Sequence, residues 1–335
     1  MTKTIDTHTH ILADATVKLM QQEIPSLGLK MTPFDQDNAV CEVAGVAYRP
    51  FPRGGHDVER RFKDMDAAEV DVHVLSAAPQ TWLYNQEAAV GIAGAAIQND
   101  EIAQLVKEYP ARFSGIATLP MQAPQKAADE LRRAITKLGL HGAMIGSNIN
   151  GKNLDDPSFE PLWATAQDLD AFMMIHPGNV AGADRLRSYY LNNLVGNPLD
   201  TTIAGACLIF GGVLERYPKL KIVMIEGGFA WLPALTWRMD KHWEHMRAET
   251  PHLKRRPSEY VREHIWFTTQ PIEEPENPEH LGDIIKWIGW DRLMFSTDYP
   301  HWDFDDPRQV FKTRLTEEQK AKIFRDNAKA FYGLK

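Results

Sequence analysis

Eight short apolar runs of strand length punctuate the chain, at residues 3–8, 70–75, 113–119, 143–146, 172–176, 222–226, 265–269 and 293–298. Their hydrophobicity is continuous rather than alternating, as in strands buried on both faces, and such burial is characteristic of a parallel sheet. Every gap is long enough for a crossover helix. Helical patterns occupy residues 58–68, 92–108, 126–138, 160–169, 201–217 and 317–331, with Gly139 following one of them as a C-terminal glycine. Eight strands alternating with helices predict an α/β fold, a single (β/α)₈ barrel, over an open doubly wound sheet.

No Gly-, Ser- or Pro-rich linker and no internal repeat divides the 335 residues, so one domain over 1–335 is expected. The widest excursion follows the first strand. There residues 39–43 and 46–49 flank Ala44-Gly45 as two strand-like runs, which predicts a small hairpin-like insertion capping the barrel mouth. A second long segment, 177–201, follows the fifth strand, and long loops after barrel strands lie on the catalytic face.

Charge and composition narrow the partners. A net charge of -8, from 45 acidic and 37 basic residues, argues against a nucleic-acid partner, which clustered Lys and Arg would hold through phosphates. No run approaches the roughly 20 consecutive apolar residues of a bilayer crossing. The N-terminus lacks the charged and apolar regions of a secretory signal, so a cytoplasmic protein acting on a small molecule is expected. Cys41 and Cys207 lie far apart and outside any C-x-x-C spacing, which suits a reducing compartment and offers no thiolate metal site.

Chemistry concentrates at the strand ends. Asp6, His8 and His10 alternate along the first strand and so project to one side. Strand five ends in His176-Pro177, and strand eight ends in Asp298-Tyr299-Pro300. Barrel closure makes strands one and eight neighbours with strand five across the mouth, so His8, His10, His176 and Asp298 can converge. Three imidazoles and a carboxylate suit one divalent ion, Zn²⁺ first, with Mn²⁺, Fe²⁺ or Co²⁺ as alternatives, and leave a position open for water. Strand six adds Glu226 ahead of Gly227-Gly228, either as a general base or as a carboxylate orienting an imidazole. Asp298 can bind the metal, shuttle a proton, or do both in turn. His301, three residues on, is a substrate contact on the same face, whereas His242 and His245 fall on the solvated side of a helix over 231–247.

With these residues in view, the chain resembles the amidohydrolase-related family, in particular the group of aminocarboxymuconate semialdehyde, γ-resorcylate and 5-carboxyvanillate decarboxylases. The likeness runs through Asp6-Thr7-His8-Thr9-His10, Tyr109-Pro110-Ala111-Arg112-Phe113, Ile175-His176-Pro177 and Ser296-Thr297-Asp298-Tyr299-Pro300. It implies a metal-dependent barrel in which His8, His10, His176 and Asp298 match the metal ligands, with zinc or manganese usual, and a homodimer. Arg49 matches an arginine that holds a substrate carboxylate in the semialdehyde decarboxylase, and Arg238 matches another. One departure shapes the expectation: the decarboxylases resembled carry histidine where this chain has Glu226. A glutamate beside a cation favours its ionised form and serves better as base than acid. The leading expectation is therefore a hydrolase that directs an activated water at a C-N or C-O bond of a small carboxylated substrate. A non-oxidative decarboxylase with the same ligands is the alternative, and a catalytically silent metabolite-binding barrel the third.

Overall fold

Strands buried on both faces have no solvated side, so their ladder satisfies its edges by closing on itself. In the computed structural model, which describes residues 4–301 and 303–334, this closure is complete. The barrel strands are β1 (Ile5–Ile11), β2 (Val72–Ala77), β3 (Phe113–Gly115 and Ala117–Thr118), β4 (Gly142–Gly146), β5 (Phe172–His176), β6 (Lys221–Met224), β7 (Ile265–Thr268) and β8 (Leu293–Met294). Each pairs in parallel with the next, from β1 through β8. A parallel bridge between Thr9 and Tyr299 joins the ends, backed by Thr7 N donating to Phe295 O at 3.1 Å and Asp298 N to His8 O at 3.0 Å. Lys3, where the predicted first strand begins, lies outside the described residues.

All eight predicted strands are present, and the differences in length have local causes. β6 stops short of Glu226, which is left-handed at φ 52°, and β8 stops at Met294 because Phe295 N turns to Ile323 O at 2.9 Å and Ser296 N to Thr269 Oγ1 at 3.0 Å, ahead of a left-handed Asp298 at φ 60°. Beyond Met294 the chain still follows β1, through its backbone bonds with Thr7 and His8 and a side-chain one, Thr297 N donating to Asp6 Oδ1 at 3.1 Å. The pattern over 201–217 is two helices, Asn197–Phe210 and Val213–Arg216, separated by Gly211 and Gly212, the latter at φ 72°.

The insertion after β1 is larger than the predicted hairpin. Asn38–Val43 and Val46–Pro52 pair around Ala44-Gly45 as expected, but Lys30–Pro33 adds a third antiparallel strand. That strand is almost wholly exposed, so it carries no apolar signature. The sheet closes over a small core of its own that includes Leu12, Met20, Cys41 and Phe51. Burial pushes the Cys41 thiol up to about 11, in keeping with an inert packing residue.

One buried cation ties this insertion to the barrel mouth. Arg61, on helix Val58–Ala67, is fully enclosed, and desolvation draws its guanidinium down to about 10. It donates to the carbonyls of Gly54 (3.1 Å) and His10, approaches His73 Nδ1 at 3.2 Å, and sits 4.8 Å from the Tyr299 ring centroid. Charged donors contribute roughly 1.5–3 kcal/mol per hydrogen bond, and a truncation strands the buried acceptors. Arg61→Ala is expected to lower unfolding free energy by about 3 kcal/mol or more, read from the shift in the urea midpoint; a shift within error would show that the contacts add nothing.

Candidate metal centre and active site

β1 carries His8 and His10 on one face because they are two residues apart, and both point into the closed barrel. Their Nε2 atoms lie 2.9 Å apart. Asp298 Oδ1 stands 3.5 Å from His8 Nε2 and 3.2 Å from His10 Nε2. From β5, His176 brings its ring centroid within 5.4 Å of His8 and 5.2 Å of His10. Glu226 Oε2 approaches His176 Nε2 at 2.5 Å. Donor atoms of His8, His10, His176 and Glu226 all fall within 4.8 Å of one another, and His10, Asp298 and His301 form a second such group.

The chemistry of these atoms fits a divalent cation. His176 Nε2, Glu226 Oε2 and Asp298 Oδ1 are buried, and although they crowd one another and His10 Nε2, none makes a hydrogen bond of good geometry among the described residues, an arrangement that a cation shared by these atoms would stabilise. The outer nitrogens fix the inner ones. Ser76 Oγ donates to Thr9 O at 2.8 Å, so it accepts from His10 Nδ1 at 3.1 Å, and the neutral ring turns its Nε2 lone pair to the cluster. His176 Nδ1 donates in the same way to Pro177 O at 2.6 Å. Burial lowers His8 well below its ordinary pKa and His10 to about 4, which keeps both in the neutral form a metal requires.

Carboxylates around the cluster are held by partners distant in sequence. Asp6 accepts from His8 N and Thr297 N, each at 3.1 Å, clipping β1 to the chain beyond β8; burial pushes its carboxyl up to about 7 against those hydrogen bonds. Asn197 donates to Glu226 Oε1 at 2.8 Å. Glu273 accepts from Phe229 N and Ala230 N at 2.8 and 2.7 Å, and Gly228 makes room for it, since a Cβ there would lie 2.5 Å from Glu273 Oε1. Glu226 and Asp298 are both non-glycine residues at positive φ, a strained conformation that the surrounding contacts must hold. Sequence reasoning assigned no role to Ser76, Asn197, Glu273 or Asp303.

A cavity of about 510 Å³ opens over the cluster, lined by His176, Glu226, Asp298, His301, Asp303 and Arg49 among others. His301 Nδ1 lies 2.9 Å from Asp298 Oδ2. Burial opposes charge on this imidazole, but the carboxylates of Asp298, foremost, and of Glu226 and Asp303 together outweigh it and hold the pKa up to about 9. Asp303 is pushed up to about 6, chiefly by burial. Arg49 reaches the cavity from the insertion strand Val46–Pro52. Arg238 does not. It is exposed on helix Leu232–His245, which packs outside the barrel, and lines a separate cavity with Cys207 and His242. The expectation that Arg238 joins Arg49 is thus not met within this chain. His242 and His245 are exposed, as expected.

Comparison with known proteins bears on the chemistry. The chain is 33% identical over 336 residues to the 2-amino-3-carboxymuconate-6-semialdehyde decarboxylase of Dictyostelium discoideum, covering 98% of this chain and 91% of that protein. The crystal structure of 5-carboxyvanillate decarboxylase from Sphingomonas paucimobilis superposes with a TM-score of 0.82 at 27% identity, covering 100% of both chains. A dihydroxybenzoic acid decarboxylase from Polaromonas sp., solved with bound manganese and the inhibitor 2-nitroresorcinol, gives a TM-score of 0.76 at 26% identity over 100% of this chain and 98% of that one. These relatives are decarboxylases, which overturns the hydrolytic reading. That reading rested on Glu226 alone, and one carboxylate does not set a reaction when its cavity also holds His301, an imidazole paired with Asp298. A family model described as amidohydrolase matches residues 5–334, from the start of β1 to just beyond the last helix, and the chain belongs to that amidohydrolase family.

Proposed function

We propose that the protein is a metal-dependent, non-oxidative decarboxylase of a small aromatic or unsaturated carboxylic acid. The carrying observation is the cluster of His8, His10, His176 and Asp298 at the floor of a cavity rimmed by Arg49, in a chain related to decarboxylases along its whole length. Those four residues would hold one divalent ion, with Glu226 beside them as a further oxygen donor. Two carboxylates among the donors suit Mn²⁺ at least as well as the Zn²⁺ expected from the imidazoles, and manganese is the ion in the Polaromonas relative.

The bound ion would supply a fixed positive charge that anchors oxygen atoms of the substrate. The chain's own residues do the rest. Arg49 offers a guanidinium fork for an acidic group at the rim. His301 engages Asp298 through Nδ1, leaving Nε2–H as the proton donor. That proton adds to the carbon bearing the carboxylate; the C–C bond to the carboxylate then breaks, its electron pair restores the unsaturated system, and CO₂ leaves. Asp298 keeps the ring oriented throughout, and solvent returns the proton to His301. Neutral His8 and His10 cannot take that part, since burial holds them unprotonated.

The test is a panel of hydroxylated aromatic acids and unsaturated amino acids of the carboxymuconate type, assayed for CO₂ with manganese-loaded protein, beside amides and lactones assayed for hydrolysis. CO₂ release with no hydrolysis is expected. Hydrolysis alone would overturn the proposal.

A further inference from the structure

We propose that the active-site cavity has two chambers and that the second is a subsite for a neutral, hydrogen-bonding arm of the substrate, remote from the reacting carboxylate. The inference rests on the decarboxylase reading only for which end of the substrate reacts. A second cavity of about 480 Å³ adjoins the one over the cluster. The two share walls from three chain segments: Tyr48 of the insertion, Pro79 and Gln80 after β2, and residues 177–179 with Asn192 on the long segment after β5. Pockets of about 300–1,000 Å³ take whole drug-sized ligands, so a single-ring acid is accommodated by the first chamber and leaves the second to something attached to it.

The chambers differ in chemistry. The first carries Arg49, Glu226, Asp298, His301 and Asp303. No charged side chain lines the second among the described residues; its polar lining is amides, including Gln80, Asn85, Asn150 and Asn192. Trp82 and Tyr84, stacked with centroids 5.4 Å apart and both buried, complete the wall. Trp82 also sets its edge against His176 at 5.3 Å, so the wall of one chamber touches the cluster of the other. On residues of this wall, Trp82 Nε1 and Gln80 Oε1 are buried without a partner among the described residues, one a donor and one an acceptor, Gln80 lining both chambers. A hydroxyl or primary amide, at once donor and acceptor, offers either of them a partner. A carboxylate or ammonium arm would shed its hydration with no counter-charge to meet it.

The experiment measures binding by calorimetry to the full, manganese-loaded chain, using aromatic acids alike at the reacting end and differing in the arm: none, hydroxyalkyl or carboxamide, carboxylate, and trimethylammonium. The neutral arms are expected to bind about tenfold more tightly than the arm-less acid, the effect of roughly one net hydrogen bond, and the charged arms no more tightly than it. Trp82→Phe keeps a ring and removes the N–H, and should bring the ratio of arm-bearing to arm-less affinities to about one. Asn85→Asp, at an exposed position, should turn the preference toward the trimethylammonium arm. A purely structural role for Trp82 would move all affinities together and leave the ratio intact. Equal affinities for arm-less and neutral-armed acids, or no binding by any of them, overturn the subsite. CO₂ release from the arm-less acid decides the reaction separately, so the two readings fail by different results.

Discussion

Asp298→Asn is expected to reduce CO₂ release by about 10³-fold, because electrostatic anchoring of this kind is worth several kcal/mol and each 1.36 kcal/mol is a factor of ten in rate. The side chain holds two parts of the site at once. Oδ1 is the unpartnered atom facing His8 and His10, and Oδ2 holds His301. Asparagine keeps the shape and tolerates the left-handed backbone at φ 60°, so the fold should survive. Its amide carries no charge, binds cations weakly, and removes the foremost of the carboxylates that favour a protonated His301. The prediction is checked by metal analysis after dialysis beside the CO₂ assay, with far-ultraviolet circular dichroism to show an intact barrel. Parent-level turnover with parent-level metal would remove Asp298 from the cation site. Loss of turnover with full metal would confine its role to His301.

The parts of the architecture that were legible in the sequence were those written as repeated pattern. Continuous apolar runs mark all eight strands because a closed parallel sheet buries both faces of each, and β5 ends on the residue expected, His176. The alternation of His8 and His10 survives folding because β1 remains a regular strand through Ile11. What the sequence concealed depends on single contacts across long separations. Asn197 meets Glu226 from 29 positions away and Glu273 meets Phe229 from 44, and neither residue differs locally from any surface amide or carboxylate. The exposed strand Lys30–Pro33 buries too little to leave a signature. Arg238 was placed by resemblance alone, and the helix that carries it runs outside the barrel. Glu226 misled in a different way: its identity was visible, but the acid or base chemistry of the site is a property of the whole cavity, which includes His301 and Asp303.

If His301 is the proton donor, His301→Asn should lower kcat by about 10²–10⁴-fold, the usual worth of a positioned general acid, while metal content stays at the parent level. The distinction from Asp298→Asn lies in that retained metal. The pH profile supplies a second, independent readout. Asp298, foremost, with Glu226 and Asp303, holds the folded-state pKa of His301 up to about 9 against the cost of burial, so the imidazolium is present at lower pH and is lost as pH rises through that value. A cation in the cluster competes for Asp298 and moves this limb downward, so the parent's kcat should fall on the alkaline side at or below about 9. In His301→Asn the limb should vanish, because asparagine does not titrate. Glu226→Gln provides the control for the competing assignment. It removes the carboxylate at the position where the resemblance puts a histidine, but leaves the His301–Asp298 contact in place, so the alkaline limb should persist even if the rate declines. A limb that survives in His301→Asn and disappears in Glu226→Gln would transfer the proton to Glu226 and require that carboxyl to be protonated beside His176, the reverse of the charge arrangement that makes the cluster suitable for a cation.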